Sequence, residues 1–195
     1  MKIGVLASQG AFAEHISVLH RLEVEAVPVR LPRELRGLDG LVIPGGESTS
    51  ISKLMLDYKL TGEIKELVRN GMPVFGTCAG MILLASDISD SGDGVVEHLG
   101  VMAITVRRNA FGRQKESFET ELLMPALGEK PFPAVFIRAP IIERVNDGVE
   151  ILATLDDGTM VAARQDKLLV SAFHPELTDD PRFHRYFLGI AAERL

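Results

Sequence analysis

The chain has 195 residues, with 21 lysines and arginines against 27 acidic side chains for a net charge of −6, 46% hydrophobic residues and no tryptophan. That length supports a sizeable core and reads as one domain over 1–195, and without a long basic run or aromatic-basic interleaving nucleic acid is not an expected partner. One cysteine excludes an internal disulfide and a thiolate metal cluster, which fits a cytoplasmic protein, and the brief apolar start Met1–Ala7, broken at Ser8-Gln9-Gly10, matches neither a signal peptide nor a membrane span.

In chain order, the first half alternates strands and helices. Ile3 to Ala7 reads as a buried strand, Phe12 to Leu22 as a helix, Glu25 to Val29 and Gly40 to Ile43 as strands, then Ser48 to Leu56 and Thr61 to Asn70 as helices. Met72-Pro73-Val74-Phe75 is a short buried strand, and Met81-Ile82-Leu83-Leu84-Ala85 behind it is helical. Strands separated by helices imply right-handed parallel units with helices on both faces.

Ser86 to Gly94 is an acidic, glycine-rich surface loop, and beyond it the pattern becomes strand after strand. These are Gly100 to Val106, Phe118 to Leu123, Ala134 to Arg138, Val149 to Leu155, Thr159 to Gln165 and Leu168 to Phe173, with a loop over Pro125 to Pro133 and a hairpin turn at Asp156-Asp157-Gly158. Pro181 opens a final amphipathic helix. The fold class is therefore α/β: a three-layer, doubly wound mixed sheet with a mostly parallel core and an antiparallel extension.

Gly76-Thr77-Cys78-Ala79-Gly80 lies where a strand turns sharply into a helix, the geometry of a nucleophile elbow. Gly76 and Gly80 relieve the crowding of such a turn, while helix-start amides favour an anionic sulfur. His174-Pro175-Glu176 follows another apolar run, and residues two apart on an extended chain face the same way. Cys78 is thus expected to be the nucleophile, His174 its base and Glu176 the acid that orients the ring. The other histidines, His15, His20, His98 and His184, sit in no comparable context and are read as ordinary surface or core residues.

Leu41 to Ser50 forms a second strand, tight turn and capped helix start, at Pro44-Gly45-Gly46-Glu47-Ser48-Thr49. In a doubly wound sheet, ligands collect at the carboxyl ends of strands, so amides of Gly46 and Ala79 are candidates for an oxyanion hole. The spacing is not that of a phosphate loop. Arginines in Arg107–Gln114 and at Arg138 stand at strand ends, where a bidentate guanidinium suits a substrate carboxylate.

Those segments resemble a known family, the class I (triad) glutamine amidotransferases, which have a flavodoxin-like fold, through Pro73–Gly80 and His174-Pro175-Glu176. More narrowly, Ala7–Phe12, Pro44–Thr49, Arg108-Asn109 with Gly112-Arg113-Gln114, Ser117-Phe118-Glu119, Phe136–Pro140 and Phe173–Thr178 are similar to the glutaminase subunits of pyridoxal 5′-phosphate synthases. The resemblance implies hydrolysis of L-glutamine to L-glutamate and ammonia through a thioester, with ammonia passed to a separate synthase subunit. It implies glutamine-binding roles for Gly46, Glu47, Ser48, Arg108, Ile137 and Arg138, a synthase contact near Gln9, and neither cofactor nor metal.

Two enzyme alternatives share the triad: a γ-glutamyl peptidase, and an amidotransferase subunit of another biosynthetic pathway. A cysteine hydrolase on a flavodoxin-like sheet usually places its acid elsewhere. A silent regulatory subunit would show an interrupted triad, and Cys78, His174 and Glu176 are all present.

Overall fold

In the computed structural model, residues 1–89, 96–111 and 117–193 are described. The first half runs β1 (Lys2–Leu6), α1 (Phe12–Arg21), β2 (Glu25–Val29), β3 (Gly40–Ile43), α2 (Ser48–Asp57), α3 (Leu60–Arg69), β4 (Val74–Thr77) and α4 (Ala79–Leu84). The second half adds β5 (Ala85–Ile88), β6 (Met102–Arg107), β7 (Ser117–Leu122), β8 (Phe132–Ile137), β9 (Ile141–Val145), β10 (Glu150–Thr154), β11 (Met160–Gln165), β12 (Leu168–Ser171) and α5 (Arg182–Ala192).

The main sheet begins with five parallel strands in the order β2, β1, β3, β4, β12. It continues through antiparallel β11, which pairs with β10 and touches β9, and ends with β9, β6 and β5. A second sheet is the antiparallel pair β7 and β8. The expected α/β class, parallel core and antiparallel extension are therefore all present.

Alternation along β4 distributes the layers. Phe75 points toward α1 and α5, where its ring meets Phe183 and Phe187 with centroids 5.5 Å away in each case. Its complete burial is worth about 1.5–3 kcal/mol. Gly76 faces the other way, onto α4, where a Cβ would lie 2.7 Å from Leu84 Cδ1. Thr77 shares the Phe75 side, toward α1.

Four expectations change. The acidic loop expected from Ser86 is, at its start, strand β5, because Asp87 and Ile88 pair with Thr105 and Val106 of β6; its remainder, 90–95, lies outside the described residues, as do 112–116 with Arg113 and Gln114. β9 was not expected, since Glu143-Arg144 interrupts its apolar pattern; pairing with β6 and an Arg107–Glu143 ion pair at 3.1 Å accommodate those charges. The loop expected over Pro125 to Pro133 contains a 3₁₀ turn at Pro125–Leu127, and Phe132-Pro133 already belong to β8. The strand expected to run to Phe173 stops at Ser171.

Candidate active site

Register brings remote segments together. β3, β4 and β12 are adjacent and parallel, with Ile43 opposite Gly76 and Thr77 opposite Ser171. Whatever follows those strands must meet: Gly45-Gly46 after β3, Cys78 after β4 and His174 after β12. The Cys78 amide donates to the Ser171 carbonyl at 2.7 Å, and the His174 amide donates to the Val135 carbonyl of β8 at 2.8 Å.

Cys78 sits at φ 48°, ψ −102°, between β4 and α4. A side-chain-bearing residue held there costs of order 1–3 kcal/mol, strain that the surrounding fold must impose. The turn is tight enough that a Cβ on Gly80 would lie 2.0 Å from the Ile43 carbonyl oxygen, and one on Gly76 would lie 2.6 Å from the Gly80 carbonyl. This is the expected elbow, with its helix starting two residues earlier than the apolar run suggested. Asn109 and Arg138 also have positive φ, 46° and 43°, and with Cys78 they line one cavity.

His174 Nδ1 donates to Glu176 Oε1 at 2.7 Å. The carboxylate thus lies beside the imidazole as expected, but not through an extended chain. Pro175–Leu177 form a 3₁₀ turn, which proline favours at its first position, and the turn carries Glu176 back against the ring. Both side chains are buried, His174 at 7% and Glu176 at 5% exposure. Cys78 Sγ lies 3.9 Å from the Ile137 carbonyl oxygen and interacts with the His174 ring.

Burial alone would lower the His174 pKa, but hydrogen bonding with Cys78 and Glu176 outweighs it and raises the ring to about 10. For Glu176, burial opposes ionisation and is outweighed by His15 and His174, so its carboxyl is held below the ordinary value of 4.5. The raised histidine stabilises the fold fully below its unfolded value of 6.5, and that contribution disappears as pH climbs through about 10. Glu176→Gln removes the anion that charges the ring. Its stability deficit, read from urea midpoints, is therefore expected to be widest between the carboxyl's 4.5 and the imidazole's 6.5 and to close as pH approaches 10.

The cavity beside these groups encloses about 410 Å³. Gly46, Glu47, Ser48, Arg108, Ile137 and Arg138 all line it, together with Cys78 and His174. Ala79 does not; it lies directly behind Cys78 at 1% exposure. Glu47 caps α2, accepting from Thr49 N at 2.9 Å and Ser50 N at 2.7 Å, so its carboxylate is already engaged. Arg108 Nε is buried with no hydrogen-bond partner among the described residues. A hollow of about 450 Å³ against α5 is lined by Arg164, Arg182, Arg185, Tyr186 and Glu193, with no cysteine, serine or threonine in its lining.

Residues not expected at the site also gather there. Gly10, Ala11, Asn109 and Leu177 line the cavity, and Thr77, His15 and His184 lie behind the triad. One signal was available for His15: it falls on the apolar face of α1, between half-buried Phe12 and Ile16 and buried Val18 and Leu19. A histidine there needs a polar partner.

A model of the SNO glutamine amidotransferase family matches residues 5–193. A pyridoxal 5′-phosphate synthase subunit PdxT from Dehalococcoides mccartyi is 58% identical over 193 residues, covering 99% of this chain and 98% of the relative. Another, from Herpetosiphon aurantiacus, is 57% identical over 190 residues, covering 97% of this chain and all of the relative. The crystal structure of a glutamine amidotransferase superposes with a TM-score of 0.91 at 50% identity, over 97% of this chain and 98% of that one.

Proposed function

Because this chain belongs to the SNO glutamine amidotransferase family, we propose that it is the glutaminase subunit of a pyridoxal 5′-phosphate synthase. It hydrolyses L-glutamine to L-glutamate and ammonia, and the ammonia is consumed by a separate synthase subunit. The observation that carries this reading is His174, paired with Glu176 and set beside Cys78, on a cavity whose lining also includes Arg108 and Arg138.

In this reading the Cys78 sulfur attacks the side-chain amide carbon of glutamine. Amides of Gly46 and Ala79 take the developing oxyanion, and the His174 imidazolium protonates the departing ammonia, leaving a thioester on Cys78. Water that gives its proton to His174 then adds to the thioester, and glutamate leaves as the sulfur is regenerated. Glu176 stays ionised throughout, holding the ring's orientation and its charge. Arg108 and Arg138 meet the α-carboxylate, and the main chain of Gly46, Glu47, Ser48 and Ile137 frames the rest of the substrate.

The enzyme's site is in the cytoplasm, where a reactive thiol survives. No helix among the described residues is long and apolar enough to cross a membrane. The deciding experiment is an ammonia and glutamate assay on the purified chain, with and without a synthase subunit. Equal amounts of ammonia and glutamate are expected from glutamine, with turnover slow in isolation and raised by the synthase. No ammonia in either arrangement overturns the reading; glutamate released only from a γ-glutamyl peptide identifies a peptidase, and equal turnover in both arrangements removes the coupling.

A further inference from the structure

Behind Glu176 lie two histidines that the reaction above does not use. Both His15 and His184 are fully buried. His15 Nδ1 is 2.9 Å from His184 Nε2, and its Nε2 is 3.2 Å from Thr77 Oγ1 and 3.4 Å from Glu176 Oε2, the carboxylate oxygen that His174 leaves free. That oxygen has no hydrogen-bond partner of good geometry among the described residues, and neither does His184 Nδ1. Thr77 Oγ1 also accepts the Gly45 amide at 3.0 Å.

The protons can be placed by elimination. Burial lowers the pKa of His15, and it lowers that of His184 to about 3, so each ring carries one N–H at neutral pH. The charged or titratable groups facing them are Glu176, His174 and Glu14 around His15, and His15, Glu176 and Arg21 around His184. If His15 held its proton on Nδ1, it would donate to His184 Nε2, and the His184 N–H would be forced onto Nδ1, buried with no acceptor. The bare Nε2 lone pair of His15 would then face a carboxylate. With both protons on Nε2, His184 donates to His15, and His15 donates toward Glu176 Oε2 and Thr77 Oγ1. Of the four ring nitrogens only an unprotonated one is then left unpaired, and neither ring N–H is orphaned.

We propose that His15 is a positioning residue for the triad, presenting Nε2–H to the free oxygen of Glu176, and that His184 fixes the tautomer that makes this possible. The N–H dipole 3.4 Å from Oε2 favours the ionised carboxylate and its rotation, so that Oε1 stays on His174 Nδ1. Because Thr77 is the residue before Cys78 and also holds the Gly45 amide, the same N–H abuts the strand that delivers the nucleophile and the loop beside it. Only the kinetic consequence rests on the glutaminase reading.

Two measurements that need no glutamine test it. Nitrogen-15 spectroscopy of the histidine-labelled unmodified chain is expected to show His15 and His184 as neutral Nε2–H tautomers at pH 7; a neutral Nδ1–H ring or an imidazolium at His15 overturns the proposal. Cys78 alkylation by iodoacetamide, followed against pH, reads the triad in variants. In His15→Leu the acidic limb is expected to rise by about one pH unit, which lowers the rate about tenfold at pH values on that limb, because Glu176 then takes up a proton more readily. His15→Gln, whose amide can donate from nearly the same point, restores the limb. A role in packing alone would lower the unfolding midpoint of His15→Leu and leave the limb where it is, and that result overturns the proposal. Should His15→Leu fail to fold, the tautomer measurement decides.

Discussion

Replacement of Cys78 by alanine is expected to reduce ammonia release from glutamine to background, a loss of at least about 10⁴-fold, because the covalent route disappears entirely. The fold should survive. Alanine keeps the Cβ, so the backbone at φ 48° is asked for nothing new, and the sulfur faces a cavity rather than the packed interior. A change of no more than about 1 kcal/mol in stability is expected, so the thermal unfolding midpoint should move by only a few degrees. Binding to the synthase subunit should also persist. Full turnover by Cys78→Ala, measured as ammonia from the purified and folded variant, would eliminate the thioester mechanism.

Gly10→Ala is expected to lower kcat/KM by about 10²–10³-fold, the scale on which a lost oxyanion donor is felt. Gly10 has φ +82°, and a Cβ there would sit 1.7 Å from the Gly45 carbonyl oxygen and 3.1 Å from Gly46 Cα. The obstacle is backbone, which cannot swing aside as a side-chain tip can. Either the segment after β1 or the Gly45-Gly46 turn must retreat, and the second of these carries the amide proposed to meet the oxyanion. Since Gly10 is exposed and outside the core, the cost to global stability should stay near 1–2 kcal/mol. A stable Gly10→Ala protein with unchanged turnover would show that the Gly45-Gly46 turn is not the side that gives way.

Local chemistry made much of this architecture legible in the sequence. Short apolar runs located β1, β3 and β4, although β4 lies two residues later than its run suggested and passes through Gly76, and small residues around Cys78 announced a turn too sharp for larger ones, which Gly80 against Ile43 bears out. Pairing across long separations was not legible. β9 looks like a charged loop until β6 lies beside it, and β5 is hidden in an acidic stretch because its partners come from farther along the chain. The same limit applies at the site. His174 and Glu176 could be paired from their spacing, yet the turn that joins them is 3₁₀ rather than extended, since Pro175 starts a turn as readily as it stiffens a strand. Glu47 was expected at the ligand by resemblance alone, and its service as the cap of α2 needed coordinates. The pairing of His15 with His184 was missed because 169 positions separate them, although the place of His15 on the apolar face of α1 was a signal for a buried polar partner.

The late position of β12 has a consequence for synthesis on the ribosome. It enters the sheet between β4 and β11, although β4 precedes it by more than ninety positions. Until Leu168–Ser171 have emerged, a nascent chain leaves one edge of β4 bare and lacks His174, the base beside its thiol. The nucleophile therefore waits for its base until β12 is made, and the strand insertion that brings His174 to it also seals the exposed edge against aggregation.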